Sequence, residues 1–196
     1  LINSRRRRGP VRHARSSLEA PLLRPPADEL LRAVDVLATA TNPAILAGSR
    51  VTESDAISEL VGVAEALGAP VISEPGTTHG RLGFPCTHPL SAPGLPLWAP
   101  DIHERLSEFD VILAVGLDVL RLYVYYEPER AIPEHIRLVH LDHDPWELRK
   151  NHATEVALCG GLKPGLSELG QQLSDHLTPA QHDSISERRG RREAAH

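Results

Sequence analysis

His140, Asp142, His143 and Asp144 form the densest set of groups in this 196-residue chain able to bind a metal or move a proton. They close the apolar run Ile136-Arg137-Leu138-Val139-His140-Leu141-Asp142. On a strand, residues 140 and 142 point one way and 143 the other, so at most three could converge. No second cluster at ligand spacing supports them, which argues against a metal. A carboxylate at a strand end accepts ribose hydroxyls or caps the next helix. Asp144, just before Pro145, is placed to be such a cap. Gly48-Ser49-Arg50 is the second candidate. Glycine lets backbone approach a ligand and Arg50 can pair with a phosphate, or the three residues are a tight turn with an exposed Arg. Gly116, which ends Val111-Ile112-Leu113-Ala114-Val115, is the third. Other chemistries are missing. No Gly-x-Gly-x-x-Gly follows a strand, and neither Gly-x-Ser-x-Gly nor a reactive Cys with a positioned His can be picked out. His79, Cys86 and His88 lie in a Gly/Pro-rich loop and read as surface residues.

Strand ends are where such residues act, so the strands come next. Runs 111–115 and 137–142 are too short for helices and apolar without alternation, as expected of strands buried on both faces. A helix is expected from Ala27 to Ala40, stopped by Asn42-Pro43, then a strand Ala44–Ala47. Thr52-Glu53-Ser54-Asp55 resembles a capping box for a helix carrying Ile57, Leu60, Val61, Ala64 and Leu67, which Gly68 stops. Strand Pro70–Ser73 completes a βαβ unit. Glu74 to Pro100 reads as a long irregular loop of the kind that is often functional. A helix from Asp101 to Phe109 and a last strand Glu155–Leu158 follow. A final helix carries Leu162, Leu166, Leu169, Leu173 and Leu177. The sum is an α/β fold: a Rossmann-like parallel sheet of about six strands with helices on both faces. Three segments are expected: a basic, Pro-rich linker at 1–26, a domain at 27–177, and a polar, charged tail at 178–196 where order should fade.

Charge is unevenly spread. Residues 1–15 carry six Arg and no acid, and 186–196 four Arg against two Glu; setting those +8 charges apart from the net −5 leaves −13 on 16–185. An acidic body repels phosphates, and the Arg arm lacks the aromatic pattern of a nucleic-acid binder, so nucleic acid is excluded as the main partner. No apolar run approaches the ~18 residues of a membrane span, so no membrane partner is expected. Two distant cysteines, Cys86 and Cys159, make no disulfide framework and point to a reducing cytoplasm. The chain holds no Met and begins Leu1-Ile2-Asn3, as a fragment or processed product would.

Several phrases then fall in order: Leu67-Gly68-Ala69-Pro70-Val71, Gly83-Phe84-Pro85 with His88-Pro89, Asp110 to Gly116, and His140-Leu141-Asp142-His143-Asp144-Pro145-Trp146-Glu147-Leu148 with Lys150-Asn151. Over residues 27–177 the chain resembles the central domain of thiamine-diphosphate-dependent enzymes, the group that includes acetolactate synthase, pyruvate oxidase and benzoylformate decarboxylase. The last is the nearest, through Phe84 to Pro89 and Val119-x-Arg121 with Tyr125 and Pro128. Arg8-Gly9-Pro10-Val11 resembles the closing strand of that family's preceding domain.

The resemblance implies a six-stranded parallel sheet that performs no chemistry by itself. The activating Glu would come from a pyrimidine domain, and the groups holding Mg²⁺ and thiamine diphosphate from a diphosphate domain. These two domains are the expected partners, in a homo-oligomer that binds its cofactor between subunits. This chain would hold no cofactor, although flavin-using relatives bind FAD, and some acyl-CoA members ADP, at positions matching Gly48, Ser49, Arg50, Gly116, Asp142 and Asp144. Arg121 and Tyr123 are the residues expected to approach a substrate in the whole enzyme. Tyr123 stands where the decarboxylases carry an active-site His, a departure that argues against benzoylformate itself as the substrate. Gly160-Gly161 replaces the family's usual Gly-Asp pair after the last strand.

Overall fold

The computed structural model describes residues 23–74, 82–120 and 130–194. Six strands form one sheet: β1 (Pro43–Ala47), β2 (Val71–Ser73), β3 (Ser91–Ala92), β4 (Val111–Val115), β5 (Arg137–Asp142) and β6 (Val156–Cys159). Their order is β3-β2-β1-β4-β5-β6 and every pair is parallel. The fold is the expected Rossmann-like α/β sheet. The chain builds leftward from β1, then jumps to β4 and builds rightward, so the order reverses between β1 and β4. Ligands of such sheets gather at the carboxyl ends of the strands at that reversal.

Both faces are packed, which explains the unbroken apolar runs. In β4, Val111, Leu113 and Val115 face one core while Ile112 and Ala114 face the other. The first core lies under α1 (Ala27–Ala38), α3 (Ile57–Leu67) and α5 (Leu162–His176), through residues such as Leu30, Leu60 and Leu166. The second lies under α4 (Ala99–Leu106), through Ile102 and Leu106, with Phe109 just beyond. α3 ends at Gly68, whose φ of 57° lets the chain turn sharply into β2.

Three expectations change. The capping box at 52–55 does not form, because a short helix α2 (Ser49–Glu53) comes first. The Thr52 hydroxyl donates to Leu82 O at 2.7 Å, Asp55 takes a φ of 50°, and α3 starts after Ala56 with no side-chain cap. The loop from Glu74 to Pro100 contains β3, too short and polar to signal itself, which joins the sheet through its backbone against β2. Most important, order does not fade at Thr178. Helix α6 (Pro179–Glu193) opens on a capping box between Thr178 and Gln181. Its buried Ile185 packs beside Gly68. Its polar side chains satisfy the orphan carbonyls at other helix ends. Gln181 donates to Ala38 O at 2.7 Å, and Arg188 to Leu67 O at 2.9 Å and to Ala40 O and Thr41 O at 3.2 Å.

Both cysteines are free and exposed. Among the described residues no helix is long and apolar enough to cross a membrane.

Candidate functional site at the sheet reversal

Gly48 follows β1, Gly116 follows β4, and Asp142 ends β5, so three of the candidate residues lie at the carboxyl edge beside the reversal. The backbone there is already closed upon itself. Gly48 N–H donates to Val115 O at 3.0 Å, Arg50 N–H to Gly116 O at 3.3 Å, and Gly116 N–H to Leu141 O at 3.0 Å. A Cβ on Gly48 would overlap Gly116 O and come within 2.5 Å of Leu117 Cβ. Gly116 has a φ of 62°, and a Cβ on it would lie 2.7 Å from Leu162 Cδ1. These glycines are required by each other's loops.

Arg50 fills what remains of the crevice. Its Nε and Nη2 donate to Asp142 Oδ2 at 3.1 and 2.7 Å, and its Nη1 donates to Asp118 Oδ1 at 2.6 Å. Asp142 is fully buried, and its other oxygen accepts the Asp144 N–H at 2.9 Å. Burial works against the Arg50 charge, but hydrogen bonds to Asp142 and Asp118 outweigh it and hold the guanidinium above its ordinary pKa. Ser49 begins α2 beside this network. Asp144 does act as a cap: its Oδ1 accepts the Trp146 N–H at 2.9 Å. The segment it caps is a turn over 145–149 instead of a helix.

His140 is also buried, on the face of β5 shared with Asp142. Its Nε2 lies 3.9 Å from Asp142 Oδ2 and accepts or donates no hydrogen bond. Burial pushes its pKa down; Asp142, a backbone hydrogen bond with Leu117, and Glu147 pull the other way, and Arg50 adds to the lowering. The ring is therefore neutral near pH 7. His143 is turned outward and half exposed, as strand alternation requires. Among the described residues no three His, Cys, Asp or Glu side chains come together as metal ligands. Asp118 and Asp142 are committed to Arg50, and Arg50 to them, so these three side chains leave no free group there for Mg²⁺ or a diphosphate. Arg121 and Tyr123 lie outside the described residues.

Asp118 is the participant that sequence reasoning missed. Its signal was available, since an acid two residues past a strand-ending glycine faces the same edge as Arg50. Gly160 and Gly161 also gain a reason. A Cβ on Gly160 would lie 2.7 Å from Pro25 Cδ, and Gly161 N–H donates to Leu23 O at 2.7 Å, so the pair receives the chain entering the domain.

Comparison with known proteins gives one consistent picture. A family model described as "Thiamine pyrophosphate enzyme, central domain" matches residues 30–169. Sulfoacetaldehyde acetyltransferase from Castellaniella defragrans is 31% identical over 163 residues, which are 80% of this chain and 26% of that protein. A probable acetolactate synthase large subunit from Methanocaldococcus jannaschii is 30% identical over 146 residues, 72% of this chain and 23% of that one. Among solved structures, the thiamine diphosphate-dependent 4-hydroxybenzoylformate decarboxylase of Rhodococcus jostii RHA1 superposes with a TM-score of 0.71 at 31% identity, covering 82% of this chain and 29% of that one. Benzoylformate decarboxylase from Polynucleobacter necessarius gives 0.69 at 26% identity, covering 78% and 28%. The chain spans about a quarter of the length of the curated relatives it matches.

Proposed function

We infer that this chain, which belongs to the family of thiamine pyrophosphate enzyme central domains, is the scaffold domain of a thiamine-diphosphate-dependent 2-oxo-acid decarboxylase. By itself it carries out no chemistry. The observation that carries this reading is the Arg50 latch. The one place where a sheet of this order takes a ligand is filled by a guanidinium held between Asp118 and Asp142. A domain whose ligand edge is satisfied from within contributes rigidity and placement, while the cofactor supplies the carbanion chemistry elsewhere. The decarboxylase assignment is supported by the two decarboxylase structures, both similar over more than three quarters of this chain. The acetyltransferase and acetolactate synthase relatives favour transfer of the same kind of intermediate to an acceptor, and that is the rival chemistry for the parent enzyme.

In the parent, thiamine diphosphate and Mg²⁺ would be held by the pyrimidine and diphosphate domains, in a homo-oligomer of the cytoplasm. Arg121 and Tyr123 are proposed to approach the substrate there. A second reading, a module that binds FAD or ADP at Gly48, Ser49, Arg50, Gly116, Asp142 and Asp144, is favoured by one feature: a guanidinium does sit at the reversal. The two readings separate in one set of measurements. Under the scaffold reading the purified 196-residue chain retains no thiamine diphosphate, releases no CO₂ from benzoylformate or pyruvate, and shows no heat of binding with FAD or ADP. Decarboxylation by the chain alone would refute the scaffold reading. Micromolar nucleotide binding abolished by Arg50→Ala would establish the second.

A further inference from the structure

His140 lies beside the Arg50 network without joining it. Its side chain is 1% exposed, and its Nε2 has no hydrogen-bond partner among the described residues. A buried polar atom left unpaired is costly, so this one calls for a partner. The chemistry of the ring says which kind. In a neutral imidazole one nitrogen carries the proton and the other a lone pair. The bond with the Leu117 backbone favours the protonated ring, so it runs from a ring N–H to a carbonyl. Because Nε2 is unpartnered, the nitrogen in that bond is Nδ1. Nε2 is therefore an acceptor in need of a donor. Asp142 is no donor: its Oδ2, 3.9 Å away, is a carboxylate oxygen already receiving Nε and Nη2 of Arg50.

His140 lines a cavity of about 10 Å³, bounded also by Leu138, Glu147, Lys150, Asn151 and Thr154. We propose that this cavity is the binding site of a single water molecule, which donates one O–H to His140 Nε2 and the other to the Glu147 carboxylate, and accepts from Lys150 Nζ or the Asn151 amide. Size and charge select this ligand. The volume is about what one water needs, and a buried water needs two to four polar partners, which these side chains supply. Glu147 is already neutralised by Lys150 at 2.9 Å, so the wall calls for no counter-ion. Among the described residues no three side chains come together to hold a metal. An anion would meet the imidazole lone pair and the carboxylate, and an apolar atom would leave Nε2 unpaired. The water would do structural work. Glu147, Lys150 and Asn151 belong to the turn after β5 and Thr154 to the approach to β6, so it would tie the connection between these strands to the middle of β5. Asn151 and His152 also line a neighbouring cleft of about 660 Å³, which gives the water a route to solvent. The site does not depend on the scaffold reading.

Magnetic relaxation dispersion of the solvent oxygen counts the waters that stay inside a folded protein long enough to tumble with it. Between the 196-residue chain and its His140→Phe variant, one such water should be lost. His143→Phe, at the outward-facing neighbour, should leave the count unchanged. In the unaltered chain, water-selected NOE spectra should carry a cross-peak from solvent to the His140 ring, and nitrogen NMR should find the ring proton on Nδ1. These two readings need no variant, so they hold the test even where His140→Phe fails to fold. A ring protonated on Nε2 would overturn the proposal, since that nitrogen would then be a donor facing Asp142 Oδ2. An unchanged water count in the folded His140→Phe variant, or no solvent cross-peak in the unaltered chain, would overturn it in favour of a dry ring. A count that falls when ammonium or potassium chloride is added would overturn it in favour of a cation.

Discussion

Removing the Arg50 side chain should cost more stability than any ordinary surface substitution. Asp142 has no solvent exposure; without Arg50 it keeps one N–H donor, from Asp144, and a neutral His140 ring 3.9 Å away. Breaking a buried ion pair from one side costs about 3–5 kcal/mol, because the remaining charge stays buried without compensation. Arg50 and Asp118 are 19% and 18% exposed, so some water reaches the network and the low end applies, about 3 kcal/mol for Arg50→Met. For a chain of this size that lowers Tm by about 6–12 °C. Arg50→Lys should lie between, since an ammonium reaches one carboxylate but lacks the planar fork that engages both.

The decisive measurement is a double-mutant cycle in urea, followed by far-UV circular dichroism, with Arg50→Met, Asp142→Asn and the pair together. The pair removes both charges at once and should recover about 2 kcal/mol relative to the sum of the single changes. If the two changes simply add, or if Arg50→Met costs less than about 1 kcal/mol, the latch contributes nothing beyond a surface ion pair and the scaffold reading loses its main support.

Acidification should weaken the fold first through two histidines. Burial lowers the pKa of both His140 and His152 below 6.5, so between pH 7.5 and about 5.5 the unfolded chain takes up protons that the folded chain refuses. Stability must then fall as pH falls, by at most about 1.4 kcal/mol per pH unit for each histidine, and His140→Gln should flatten the slope of urea midpoint against pH. A second loss follows near pH 4 and below. Asp110 is held below its ordinary range: burial opposes its charge, but the Thr41 hydroxyl and N–H and the Asn42 N–H outweigh that, so Asp110→Asn should remove this acid-side loss in the same titration. Gly48→Ala should destabilise by about 1–3 kcal/mol through overpacking, whereas Gly62→Ala, in the interior of α3 with open space around it, should stabilise by up to about 1 kcal/mol. Arg188→Ala strips capping groups from the ends of α1 and α3 and should cost about 1–2 kcal/mol by chemical denaturation.

Legibility in the sequence followed the range of the interactions. β4 and β5 were readable because burial on both faces leaves a continuous apolar run that few other structures share. β3 was not, since Ser91 and Ala92 join the sheet only through their backbone and carry no pattern. The two capping boxes make the same point. Thr52 to Asp55 has the residue types, but Thr52 finds Leu82 O thirty positions away, while Thr178-Pro179-Ala180-Gln181 forms its box and starts a helix in a stretch that composition alone marks as a tail. The Arg50 network is the extreme case, for its partners are 68 and 92 residues distant. Arg50 was legible as a charge in search of an anion, and Asp118 and Asp142 as acids at the same edge; their pairing across the fold was not.

Glycines at the reversal of an open α/β sheet are commonly read as space left for a ligand. Here the space each one leaves is taken by protein. The missing Cβ of Gly48 makes room for Gly116 O, that of Gly83 for Gly48 O at 2.7 Å, and that of Gly116 for Leu162 and Arg50. Three loops therefore interlock, and the Arg50 charge among them is neutralised by Asp118 and Asp142. Such an arrangement holds its glycines whether or not a nucleotide ever binds, so the glycines alone cannot be a sign of one. What distinguishes a ligand cradle from a packed joint is the identity of the atom that fills the missing Cβ. By that measure the centre of this edge is a joint.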